Sequence, residues 1–161
     1  MAVVTILFSA LISAYVVRMG LPDWRALPEP GVLWFNTALL VLSSVALQWS
    51  RGQSALHELR GVWVGALLGL LFVLGQFWAW AQLYALGYFV TSNPSSSFFY
   101  LITALHGLHL VGGLGAWVWV GVRAKSGSSK DRFLANVALC TTYWHFLLLV
   151  WLVLFALMLL T

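Results

Sequence analysis

The stretch from Val62 to Val90, VWVGALLGLLFVLGQFWAWAQLYALGYFV, runs for 29 residues without a charged side chain. As a helix it would extend roughly 43 Å at 1.5 Å per residue, against a hydrocarbon core of about 30 Å. Such a run predicts a transmembrane helix that tilts or projects beyond the lipid. Four more apolar segments accompany it, from Ala2 to Val17, Gly31 to Trp49, Phe98 to Val122 and Phe133 to Leu160. The whole chain has the same character: 62% of its 161 residues are hydrophobic, with 8 Lys and Arg and 4 Asp and Glu. Soluble domains carry about 25% charged residues, so a chain at 7% has no surface suited to water. Strands of about ten alternating residues, the mark of membrane barrels, are not seen. The expectation is all-α: one integral membrane bundle of five transmembrane helices, with no room for a soluble catalytic domain.

The connections carry the charge. Arg18 to Pro30 holds three prolines, which stop one helix and start the next. Ser50 to Gly61 holds His57, Glu58 and Arg60; Thr91 to Ser97 is an uncharged turn around Pro94; Arg123 to Arg132 is a basic linker. Ser96 or Ser97 is expected to cap the fourth helix. The second and fourth connections hold six Lys and Arg, the first holds two and the third none. By the positive-inside rule this puts the amino terminus in the cytoplasm and the carboxyl terminus outside. Trp24, Trp34, Trp49, Trp63, Trp117 and Trp119 sit near helix ends, where an interfacial aromatic belt is expected.

The first 17 residues lack the Lys or Arg of a signal peptide, so they read as a retained helix, its shortness suggesting a reading frame that starts further upstream. The net charge of +4 reports topology and no nucleic-acid partner. The lone Cys140 excludes a disulfide framework and a CxxC motif. Gly61, Gly65 and Gly69 in the third segment, and Gly107, Gly112, Gly113 and Gly115 in the fourth, are expected where neighbouring helix backbones approach closely.

Polar residues inside a membrane are costly and often mark function. Gln76, His106, His109 and His145 all fall within several ångströms of mid-membrane, with Tyr143 and Trp144 beside the last. His106 and His109, at i and i+3, share a helix face, and a facing His145 would complete a metal or haem site. With no carboxylate or thiolate nearby, the expected reading is instead neutral imidazoles hydrogen-bonded across helices, at about 0.6–2 kcal/mol each. All four acids, Asp23, Glu29, Glu58 and Asp131, lie in connections. Ion-driven carriers keep a carboxylate in the membrane, so independent transport and acid–base catalysis in the bilayer are not expected.

Two runs carry a resemblance. SFFYLITALHGLHLVGG, from Ser97 to Gly113, resembles the T-x-x-H-G-x-H signature of subunit III of haem–copper terminal oxidases. YWHFLLLVWLVLF, from Tyr143 to Phe155, resembles that family's Y-W-H-F-V-D-V-V-W segment. NTALLVLSS, beginning at Asn36, and Gly75-Gln76 match as well, so the likeness covers essentially the whole chain, in the family's shorter five-helix bacterial form.

The resemblance implies a non-catalytic subunit of a respiratory oxidase of the cytochrome c oxidase type. It would bind no cofactor itself, haem and copper being held by partner subunits. It would pack on subunit I, with subunit II in the same complex, bind phospholipid, and prolong working life in the bacterial inner membrane. Gln76, His106, His109 and His145 would shape the bundle interior. Arg51, His57, Arg60, Arg123 and Lys125 are candidate contacts for lipid phosphates, or simply set the topology. Within the family, a quinol-oxidase subunit III and an accessory protein of nitric oxide reductases fit as well; outside it, a haem-binding membrane anchor remains an alternative. The chain departs from the pattern at Val4, Ala79 and Leu148, where the family usually has membrane acids.

Overall fold

The computed structural model describes residues 1–28, 30–51, 55–125 and 130–160, with side chains described at all of these except 50, 55, 56, 58, 124, 125, 130 and 131. It holds five helices: α1 (Ala2–Met19), α2 (Val32–Ser50), α3 (Ala55–Ala85), α4 (Pro94–Lys125) and α5 (Lys130–Leu159). All five are long and apolar enough to cross a membrane. There is no strand among the described residues, as lipid demands when it leaves backbone groups nothing but each other to bond.

Three helix ends differ from the sequence reading by four residues or more. The third apolar run continues to Val90, but α3 stops at Ala85 because Gly87 takes a left-handed φ of +84°. The Gly87 N–H donates to the Tyr84 carbonyl and the Tyr88 N–H to the Leu83 carbonyl, both at 3.0 Å, closing the helix end. α4 begins at Pro94, four residues before the apolar run, and its cap is Asn93. The Ser96 N–H donates to the Asn93 side-chain oxygen at 3.0 Å, while Pro94 fills the first helical position, where no N–H is needed. Neither predicted serine caps: Ser97 donates its hydroxyl to the Val90 carbonyl, and Ser96 Oγ has no partner. Finally, α3 already starts at Ala55, so His57 and Arg60 ride on a helical extension where a loop was expected.

Helices α2 to α5 form a closed ring, each packed on the next and α5 returning to α2, while α1 lies outside against α4. Antiparallel register is set by named pairs. Between α2 and α5, the Trp151 indole donates to Thr37 at 2.9 Å and Trp34 meets Phe155 edge to face at 4.9 Å. Between α2 and α3, the Ser43 hydroxyl donates to the Gly65 carbonyl at 2.8 Å. Around α1 a smaller cluster joins Phe8 and Tyr15 to Ile102, Val150 and Leu154. The first connection is fastened at both ends: Arg18 donates to Asp23 at 2.8 Å, and the Ser95 hydroxyl donates to the Arg25 carbonyl. The hydrogen bond from Arg18 holds the Asp23 carboxyl below the usual carboxylate range.

Of the six tryptophans expected at the interface, Trp34, Trp49, Trp63 and Trp119 are exposed, and Trp24 is half-buried beside Tyr15. Trp117 is 1% exposed and belongs to the core.

Candidate functional site

The two motif runs lie on α4 and α5, neighbours in the ring, and most of their large polar side chains are buried or half-buried between helices. Thr103 joins α3 to α4: its hydroxyl accepts from the Trp80 indole at 3.0 Å and donates to the Phe99 carbonyl at 2.6 Å. One turn on, His106 is completely buried, with Phe8, Phe72 and Trp151 at ring distances of 6.2, 6.0 and 5.3 Å. Among the described residues neither of its ring nitrogens has a hydrogen-bond partner. His109 is half-buried, and its Nδ1 lies 2.7 Å from the Leu105 carbonyl, so Nδ1–H donates there. Phe8 also sits edge-on to His109 at 5.6 Å. The i, i+3 spacing therefore builds a two-ring seat for one phenyl group of α1, one of the contacts that hold that helix.

The second run works through shape. Trp144 is fully buried, and the indole occupies a slot that two glycines leave open. A Cβ on Gly69 would lie 2.5 Å from the Trp144 ring, and one on Gly113 would lie 3.2 Å from it. Only residues without side chains let α3 and α4 close on this ring. Tyr143 is half-buried beside Gly113. His145 faces the other way, toward α2, with Nδ1 3.1 Å from Ser44 Oγ and Nε2 3.2 Å from Gln48 Oε1.

The expected polar cluster is thus spread over several sites. Asn36 presses on α3 at Gly75, next to Gln76, and eight residues of α2 separate it from Ser44, the partner of His145. Gln76 and His145 therefore sit roughly 12 Å apart along the bundle axis. His106 and His109 share a face, but His145 does not join them. Among the described residues no three His, Cys, Asp or Glu side chains lie close enough to hold a metal ion. The interior instead holds amides, imidazoles and hydroxyls. Asn36 is fully buried and Gln76 is 5% exposed, and both amides lack partners among the described residues. A buried polar group left unpaired costs about 1–3 kcal/mol.

The positions that depart from the family pattern differ in surroundings. Ala79 is fully buried in the ring core, Leu148 packs at its edge, and Val4 packs against the α1 cluster. Of the cationic residues, Arg51, His57, Arg60 and Arg123 are exposed. Arg51 lies within electrostatic reach of His145, and the Arg123 guanidinium stacks 4.7 Å above the Trp119 ring. The Lys125 side chain lies outside the described residues. Phe8 and Gln48 complete the site and were not singled out by sequence, while Trp151 lay within the quoted YWHFLLLVWLVLF run without a role assigned to it. Only the run NTALLVLSS hinted at Ser44.

With this geometry in place, comparison with known proteins adds identity to shape. A family model described as cytochrome c oxidase subunit III matches residues 23–160. The chain is 31% identical to a probable cytochrome c oxidase subunit 3 of Nocardia farcinica, over 92% of this chain and 78% of that protein. It is 28% identical to cytochrome c oxidase subunit 3 of Thermostichus vulcanus, over 96% and 80%. It is 29% identical to cytochrome bo(3) ubiquinol oxidase subunit 3 of Buchnera aphidicola, over 94% and 82%.

Proposed function

We propose that this chain, which belongs to the cytochrome c oxidase subunit III family, serves as a non-catalytic packing subunit of a respiratory haem–copper oxidase. It is a multi-pass membrane protein of five helices and part of an oxidase complex. Oxygen reduction and proton pumping are then work of the complex, with haem and copper in partner subunits. This chain packs on subunit I, with subunit II in the same assembly, and stabilises the catalytic core.

The observation that carries the reading is the use to which the motif residues are put. His106 and His109 seat Phe8, Trp144 fills the slot at Gly69 and Gly113, and Thr103 accepts from Trp80. Each is engaged in holding one helix to another. Phospholipid is the second expected partner. Arg51, Arg60 and Arg123 present cations, and His57 an imidazole, at the helix ends assigned to the cytoplasm, where headgroup phosphates lie. The positive-inside bias of the second and fourth connections supports an amino terminus inside and a carboxyl terminus outside, in what we take to be a bacterial inner membrane.

Purification through a tag on this chain tests the reading. Haem-bearing subunits are expected in fixed proportion to it, and a chain that purifies free of them refutes it. The likeness to the Buchnera subunit supports a second reading, in which the complex takes electrons from quinol. Assay of the purified complex with reduced cytochrome c and with quinol separates the two.

A further inference from the structure

We draw no further inference here: the strongest candidate, the groove between α3 and α4 lined by Phe77, Trp80, Tyr84 and Tyr100, is apolar, and nothing in the structure shows what covers it.

Discussion

The glycines of α3 and those of α4 are the same residue in two neighbouring membrane helices, yet they are used differently. On α3, Gly65 meets Leu47 of α2, Gly69 meets Trp144 of α5, and Gly75 meets Asn36 of α2. On α4, Gly113 and Gly121 are filled by Trp144 and Trp63, whereas Gly107, Gly112 and Gly115 face outward with open space above them. A close-packing row read from sequence therefore has an inside and an outside meaning. In lipid the apolar drive that hides a soluble helix face is absent, and fit decides which small residues are covered. The covered rows hold this bundle together, and the open one takes no part in that.

Substitutions in the two rows should separate these meanings. The largest effect is expected from Gly69→Leu, whose side chain would collide with the buried Trp144 ring, 2.5 Å from the first added carbon. The chain should fail to accumulate as a monodisperse protein in detergent. Gly115→Leu should leave yield and thermal midpoint of the chain unchanged, and equal damage from both would erase the distinction. Next comes Trp144→Ala, which empties the slot without collision. Loss of about 3 kcal/mol is expected, read as a lower thermal midpoint. Phe8→Ala should loosen α1 alone, at roughly 2 kcal/mol because α1 is largely lipid-facing. Proteolysis should then sever α1 while the α2–α5 ring resists.

Smaller effects test the polar pairs. Ser43→Ala removes the bond to the Gly65 carbonyl and should cost about 1 kcal/mol. The smallest concerns Asp23, whose carboxyl is held low by Arg18. A depressed carboxylate contributes stability above its ordinary range and loses it as pH falls through its folded value. Asp23 is fully exposed, so the contribution is small: Asp23→Asn should lower the thermal midpoint slightly at neutral pH, and the two proteins should converge in acid, where the carboxyl is protonated.

The number and order of the helices were legible in the sequence because lipid permits so few alternatives. Runs of apolar residues did not reveal where a helix stops: Val90 looks no different from Ala85, and the stop signal was the single Gly87. Asn93 was a better cap than the serines after it, but the uncharged TSNPSSS turn offers several candidates. The motif residues were found, since HGLH and YWHF are distinctive, while their arrangement was not. Depth along a helix can be counted from sequence; direction around it depends on partners such as Phe8 and Ser44, which bear no mark of their own. For that reason His145 looked like a third member of the His106 site and instead turns to α2.

The central claim is that the motif histidines hold helices together and take no part in the oxidase reaction. His106→Leu in the intact complex addresses it, because the substituted side chain keeps the size of the ring cage and removes both nitrogens. The visible haem spectrum and the initial turnover rate of the purified complex should match those of the unmodified enzyme. A shifted haem band, or a turnover rate lowered many-fold in a complex of normal subunit content, would contradict the account.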